Sequence, residues 1–300
     1  MPDFVKVKVP ASTSNLGSGF DTFGLALNIY LTVEMQLSDA LRIEYTGEGA
    51  DDMVLDETNL VYKTAALLFE KAGQPVPPLS LKIENPIPLS RGLGSSGAAI
   101  IAGLVCANTF LVNRFSDREL LKMATSLEGH PENVAASLFG GLTINCVDEE
   151  EVVSAKVAIK SPLKLVLLIP ALTISTSEAR KVLPELVSHK EAVYNVQRSA
   201  MLSHVLINND FKLLREALQD KLHQPFRKQL IPGYDEFESV AYENGALGVC
   251  ISGSGSTILS FVIEDEERLQ TAWLVKAVEL NLEGKVQVVQ IENLGVKVET

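Results

Sequence analysis

Cysteine is scarce in this 300-residue sequence, and the three present, Cys106, Cys146 and Cys250, form no C-x-x-C pair. That pattern gives no sign of a disulfide framework or a zinc ribbon, and it leads us to expect reduced core thiols in a cytoplasmic protein. Positive charge is the next shortage. Against 38 Asp and Glu there are 26 Lys and Arg, a net charge of −12, which argues against nucleic acid or an anionic membrane as the main partner. A small polyanion remains admissible, because a local nest of N–H groups outweighs a diffuse surface charge. Long apolar runs are missing too. The longest, residues 97–107, is too short to span a bilayer. The charged start Asp3-Phe4-Val5-Lys6 has no apolar stretch behind it, so no signal peptide is expected. What remains is ordinary globular composition, 46% apolar and 21% charged, enough for one large or two medium domains with real cores.

The densest punctuation in the chain is Pro86-Ile-Pro-Leu-Ser-Arg-Gly-Leu-Gly-Ser-Ser-Gly-Ala98. A strand-like run, Leu79 to Glu84, leads into it, and an apolar helix opening near Ser96 leads out. Glycines let the backbone approach a ligand closely, and the first-turn N–H groups of the helix point at it without partners. Such a loop is an anion site, most simply for phosphate. Three glycines and three serines between Ser90 and Gly97 exceed what a plain turn requires. No Lys follows the glycines, so this is not a P-loop. Gly92, Gly94 and Gly97 do spell G-x-G-x-x-G, but Pro86 and Pro88 separate them from the strand. The helix then runs into Asn113-Arg114-Phe115-Ser116 and a second helix, where a dinucleotide fold would place a strand and a ribose-binding carboxylate.

Along the chain, Val5, Val7 and Val9 alternate with Lys6 and Lys8 as a half-buried strand, and residues 24–35 and 41–45 continue in β character. Val61, Ala65, Leu68, Phe69 and Ala72 keep helical spacing, closed by Gly73. Ser116 and Glu119 form a capping box for the next helix. Residues 142–147 and 152–158 read as a strand pair around the tip Asp148-Glu149-Glu150-Glu151, expected to be solvated turn rather than a metal cluster. Near Lys160-Ser161-Pro162 the pattern changes. Leu165 to Ile169 is a wholly apolar strand. Helices at about 175–182, 188–208, 211–219 and 235–244 follow, then strands at 246–251 and 257–263, a helix at 265–280 and a strand at 285–292. A β-rich lobe over 1–160 and an α+β lobe over 161–300 are therefore expected, with a cleft between them.

Two more glycine-bearing loops stand out: Pro10-Ala-Ser-Thr-Ser-Asn15-Leu-Gly-Ser-Gly-Phe20-Asp21 after the first strand, and Gly248-Val-Cys-Ile-Ser-Gly253-Ser-Gly-Ser-Thr257 between two strands. Either alone could be a wide hairpin. With the phosphate loop, in this order and spacing, they resemble the three motifs of the GHMP kinase superfamily across nearly the whole chain. Ser14-Asn15-Leu16-Gly17 through Gly19-Phe20-Asp21, Glu128-Gly-His-Pro-Glu-Asn133 and Ser175-Thr-Ser-Glu-Ala-Arg180 resemble its homoserine kinase family in particular.

The resemblance implies an α+β, two-lobed fold, with an N-terminal lobe like ribosomal protein S5 domain 2 and a ferredoxin-like C-terminal lobe. It implies ATP-dependent phosphorylation of the side-chain hydroxyl of L-homoserine, on the route to threonine, in a cytoplasmic homodimer. The cofactor loop would run Pro88, Leu89, Ser90, Arg91, Gly92, Leu93, Gly94, Ser95, Ser96, Gly97 and Ala98, with the N–H groups of Gly92 to Ser96 and the hydroxyls of Ser95 and Ser96 as donors to ATP. Ser96 and Glu128 are the implied Mg²⁺ contacts; without the resemblance Glu128 is a solvated helix-end carboxylate. Arg180 and Arg227 are candidates for the substrate carboxylate, where a guanidinium binds two oxygens at once. Asn15 and Asp21 would lie near the hydroxyl and ammonium, with Thr176 and Gly253 beside the substrate. His130 is expected to be structural, and no zinc site is expected from His189, His204 and His223.

Catalysis leaves two readings open. Relatives such as mevalonate kinase use an aspartate where this chain has Asn133, and an amide takes no proton at neutral pH. Direct attack by a positioned hydroxyl is then favoured, since alignment and charge neutralisation supply most of the acceleration in phosphoryl transfer. Asp21 remains an alternative base. Another small-molecule kinase of the superfamily, or a silent ATP-binding sensor, are the competing functions; Arg180 and the missing aspartate argue against the first, and intact Glu128 and loop serines against the second.

Overall fold

A computed structural model describes residues 3–149 and 151–300. In chain order the strands are β1 (Phe4–Ser14), β2 (Phe23–Leu37), β3 (Arg42–Gly47), β4 (Leu79–Asn85), β5 (Leu142–Asp148), β6 (Glu151–Val157), β7 (Lys164–Pro170), β8 (Gly248–Ile251), β9 (Ile258–Val262), β10 (Gly284–Gln290) and β11 (Lys297–Glu299). The helices are α1 (Leu60–Lys71), α2 (Ser95–Phe110), α3 (Asp117–Glu128), α4 (Glu132–Phe139), α5 (Thr176–Lys181), α6 (His189–Asn208), α7 (Leu214–Ala217), α8 (Gln224–Arg227), α9 (Tyr234–Glu243) and α10 (Glu266–Glu279). None of them is long and apolar enough to cross a membrane.

The first sheet runs β11-β1-β2-β4-β3, with β5 joined to β2 and β6 to β5. Alternation in β1 puts Val5, Val7 and Val9 in the core at 0% exposure. Past a register shift at Pro10/Ala11 the strand is buried on both faces. Beyond that shift Ser12, Thr13 and Ser14 lie in the interior. Helix α2 is buried nearly all round, as befits a helix apolar on every side. The capping box at Ser116 forms as expected.

The second sheet runs β10-β7-β9-β8, all antiparallel. Counted within the lobe that is the order 4-1-3-2 of a ferredoxin-like β-α-β-β-α-β unit. Strand β7 explains its unbroken apolarity: Leu165, Leu167 and Ile169 join the core shared with the first lobe, while Val166 and Leu168 join a second core under α9 and α10. There the Trp273 ring meets Phe237 edge-on at 6.5 Å and donates its Nε1–H to the Phe237 carbonyl at 2.9 Å.

Four local expectations change. Cys146 is exposed rather than a core thiol, since β5 leaves the core after Asn145, whereas Cys106 and Cys250 are buried. The helix expected over 211–219 is a 3-10 turn followed by the single-turn α7. Helix α8 and strand β11 were not anticipated, and β11 belongs to the first sheet although it ends the chain. In the acidic tip Glu149 is exposed at φ 50° and Glu151 pairs with Arg118 at 2.8 Å; Glu150 lies outside the described residues.

Candidate active site

Three glycine-bearing loops, far apart in sequence, converge on one cleft. Gly253 donates its N–H to the Ser14 carbonyl at 3.1 Å, and Asn15 Nδ2 donates back to the Gly253 carbonyl at 2.9 Å. Ser252 Oγ donates to the Gly92 carbonyl at 2.6 Å and lies 2.8 Å from Thr13 Oγ1. Ser12 N–H reaches the Leu93 carbonyl at 3.2 Å. This packing requires glycine. A Cβ on Gly92, at φ +73°, would stand 2.0 Å from the Ser252 carbonyl oxygen, and one on Gly94, at φ +69°, 2.0 Å from Ser12 Oγ.

The loop over 88–98 keeps its donors unspent. Among the described residues, the N–H groups from Gly92 to Gly97 have no acceptor; the first paired donor is Ala98, bonded to the Gly94 carbonyl at 2.9 Å. Gly94 caps α2 with its backbone alone, so the positive end of a sixteen-residue helix faces the cleft. The other loop residues differ in what they offer. Pro88, Ser90, Gly92, Leu93, Gly94, Ser95 and Ser96 line the cleft. Ala98 is fully buried with its donor engaged, and Gly97 packs against Asn133 and Val134. The Arg91 guanidinium turns away and staples the loop to the end of β7, donating to the Pro170 carbonyl at 2.8 Å and the Ala171 carbonyl at 2.9 Å. Leu89 lines a neighbouring apolar chamber with Leu31, Met53, Val61 and Ile83, which also shares Ser95 and Ser96.

Opposite the loop, Ser96 Oγ donates to Glu128 Oε2 at 2.8 Å. Burial pushes the Glu128 carboxyl above the ordinary carboxylate range despite that hydrogen bond. Two hard oxygen donors, one on a carboxylate with no Lys or Arg at ion-pair distance among the described residues, fit a hard divalent cation such as Mg²⁺. No cluster of three or more acidic, His or Cys side chains is found among the described residues, and such a site needs none.

The far wall is cationic. Arg180, on α5, forks onto Asp21, Nη1 to Oδ2 at 3.0 Å and Nη2 to Oδ1 at 2.9 Å. Burial pulls its pKa down, but Asp21 outweighs that and the net shift is upward. Arg227 is only 2% exposed, and no described carboxylate lies within ion-pair distance of it. It donates to the carbonyls of Ala179 and Gly253, both at 3.2 Å. Burial, aided by the like charge of Arg180, lowers its pKa to about 10. A buried, uncompensated guanidinium is expensive, and an anionic ligand relieves it.

Asn15 and Asn133 line the cleft with their amides already holding the frame. Asn15 Oδ1 accepts the Asp21 N–H at 2.9 Å. Asn133 accepts from Ser12 Oγ at 3.0 Å and donates to Ser14 Oγ at 3.1 Å. Thr176 lines the rim, and Gly253 lines the floor with both backbone groups engaged. Two side chains in the same walls, and one behind them, were not given site roles by sequence. His130 lines the cleft rather than only supporting it, with Nδ1 3.0 Å from Glu132 Oε1. Burial alone would lower its pKa; the Glu132 carboxylate reverses the sign. Glu132 is 2% exposed and its Oε2 has no partner. Fully buried His223 packs behind Arg227. His130 and Glu132 could have been found, since they stand inside the segment that supplied Glu128 and Asn133.

Two family models match the chain: "GHMP kinases N terminal domain" matches residues 59–141 and "GHMP kinases C terminal" matches 202–276. A homoserine kinase of Aquifex aeolicus is 41% identical over 98% of this chain and 99% of its own length, and one of Clostridium beijerinckii is 39% identical over 97% of each. The chain belongs to the homoserine kinase family. The crystal structure of homoserine kinase from Cytophaga hutchinsonii superimposes with a TM-score of 0.89 at 30% identity, covering 100% of this chain and 98% of that one. A mevalonate kinase crystal structure, 14% identical with a TM-score of 0.69, shares the fold. This homoserine kinase family member is thus a GHMP-fold kinase, two-lobed and α+β, with a cleft where the three glycine-bearing loops meet.

Proposed function

We propose that this enzyme transfers the γ-phosphoryl group of ATP to the side-chain hydroxyl of L-homoserine, giving O-phospho-L-homoserine for threonine synthesis. The observation that carries the reading is one cleft holding both the acceptor-free amides of residues 92–97 and the carboxylate-free guanidinium of Arg227. The amides suit a triphosphate and the guanidinium a small carboxylate. The apolar chamber beside Leu89 suits the adenine.

Ser96 and Glu128 would hold Mg²⁺, which when bound neutralises charge across the β- and γ-phosphates. Arg227 and Arg180 orient the amino acid by its carboxylate. Asp21 and the unpartnered oxygen of Glu132 suit its ammonium. Asn15, fastened to Gly253 and Asp21, keeps the loop still while the hydroxyl faces the triphosphate. Asn133 cannot take the proton, so the hydroxyl attacks directly and its proton leaves with the phosphoryl oxygens or to Asp21. The residues up to 160 carry the nucleotide side, and those from 161 the two arginines. A homodimer belongs to the proposal as well, supported by Val193, Val196, Ala200 and Ile207 exposed along one face of α6.

Coupled ADP release from purified protein, with homoserine, mevalonate, galactose and shikimate in turn, tests the reading. Turnover is expected with homoserine alone. Release of ADP with another acceptor, or with none of them, would overturn it.

A further inference from the structure

Arg227 has five N–H groups and three of them are committed. Nε–H goes to the Ala179 carbonyl; the two on Nη1 go to the Gly253 carbonyl at 3.2 Å and to His223 Nδ1 at 3.4 Å. Nη2 has no protein acceptor among the described residues. The orientation of the fork therefore depends on what holds Nη1.

His223 is one of those holders, and its protonation follows from its neighbours. Its Nε2 lies 2.8 Å from the Gly17 carbonyl, which only accepts, so Nε2 carries the hydrogen. Nδ1 faces a guanidinium nitrogen that always carries hydrogens, so Nδ1 is the bare acceptor. The ring is neutral and a single tautomer. It is 0% exposed, and stacks on Phe20 at 5.0 Å and 20°, with Arg227 5.1 Å and Arg180 5.7 Å from that same phenyl ring. Asp220 comes within 3.7 Å of Nε2, but its oxygens are taken by the N–H groups of Leu222, His223 and Gln224 and by Asn195 Nδ2. It builds the turn and leaves the imidazole to Gly17 and Arg227.

We propose that His223 is the positioning residue of the substrate-carboxylate anchor. Its bare Nδ1 fixes the Arg227 fork with Nη2 left for the ligand. Its Nε2–H ties the same ring to the loop between Asn15 and Asp21, so anchor and acceptor loop are held in one register. The inference rests on the reading that Arg227 receives the carboxylate of homoserine.

The test begins with that reading: wild-type turnover of homoserine must be present, and its absence defeats the proposed function rather than this inference. Given turnover, H223Q keeps a donor toward Gly17 and loses the acceptor toward Arg227, whereas H223N keeps an acceptor near the Nδ1 position. H223Q is expected to raise the KM for homoserine about tenfold, with kcat and the KM for ATP within about twofold. H223N should recover most of the loss. H223Q combined with R227M should bind homoserine no worse than R227M alone. An unchanged homoserine KM in H223Q, an equal rise in the KM for ATP, or additive losses in the double variant would overturn the proposal. Histidine nitrogen NMR on the unaltered enzyme gives an answer that needs no variant to fold. A neutral Nε2–H tautomer at pH 7 is expected for His223, and an imidazolium or an Nδ1–H tautomer would overturn the assignment.

Discussion

Arg180 grips Asp21 with both arms, Nη2 to Oδ1 at 2.9 Å and Nη1 to Oδ2 at 3.0 Å, across 159 residues of sequence. The pair sets a cation and an anion side by side at the mouth of the cleft, with side chains 40% and 37% exposed. A zwitterionic amino acid presents the complementary pattern, so the pair suits it as a template: the carboxylate turns to the arginines, the ammonium to the acids. At that exposure the ion pair itself adds little to stability, at most about 1 kcal/mol. Its value lies in keeping both groups pointed inward.

Asp21→Asn separates the two chemical readings. If Asp21 orients the ammonium, the variant raises the KM for homoserine tenfold or more, with kcat reduced by less than about tenfold. A general base contributes about 10²–10⁴-fold. Steady-state kinetics showing a collapse of that size in kcat, with KM preserved, would identify Asp21 as the base.

Glu128 links metal use to pH. Its carboxyl is held above its ordinary value of 4.5, first by burial, so protons compete with Mg²⁺ for it. The Mg²⁺ concentration needed for half-maximal rate should rise as pH falls through that raised value. A carboxyl whose pKa is higher folded than unfolded binds its proton more tightly in the fold. Its stabilising share is present at low pH and lost as pH rises through the folded pKa. Glu128→Gln should therefore melt higher than the parent at neutral pH in chelator, with the gap narrowing toward acid, while losing most activity. A Mg²⁺ titration at each pH reads the first effect, and thermal melts across pH 5 to 8 the second.

The sequence made the frame legible where local chemistry sufficed. The alternation of Val5, Val7 and Val9 announced β1, the Ser116 and Glu119 box announced α3, and the crowding of glycine and serine marked all three loops. What it hid depends on partners far along the chain. Lys297 to Glu299 is a strand only because β1 offers Lys6 to Lys8 for pairing. Arg227 looks like any surface arginine until α8 is folded under Gly253. His223 stands in the mixed run Lys221-Leu222-His223-Gln224, which sets no burial by itself, and it is buried because Gly17 and Phe20 close over it. The free amides of the loop were legible from composition, but the turning away of Arg91 was not, because its acceptors lie at the end of β7.

Gly92→Ala tests whether the loop's shape, beyond its polarity, is required. The new Cβ would meet a backbone oxygen, Ser252, at 2.0 Å, and the φ of +73° disfavours any L side chain. The backbone conformation alone costs about 1–2 kcal/mol, and the clash forces the 252–257 hairpin away from the loop. The variant should lose several degrees of Tm, and its KM for ATP should rise more than its KM for homoserine. Equal rises in both would mean that the hairpin, rather than the nucleotide loop, had been damaged.

Lysine replacements should distinguish the two arginines, because their surroundings differ. Lys at 180 can still reach Asp21 from a half-exposed position, so the KM for homoserine should rise only several-fold. Lys at 227 would place a compact ammonium where three fixed acceptors expect a planar fork. Loss of a charge-assisted bidentate contact is worth about 1.5–3 kcal/mol, so a rise in KM of roughly 10- to 100-fold is expected. Arg227→Met should show the other side of the same physics. Burial holds the guanidinium pKa down at about 10, so the charged form opposes folding at neutral pH. Removing the charge should leave the ligand-free Tm unchanged or higher, even as homoserine binding is lost. A large fall in Tm together with an unchanged homoserine KM would show Arg227 to be a structural strut and would move the carboxylate site to Arg180 alone.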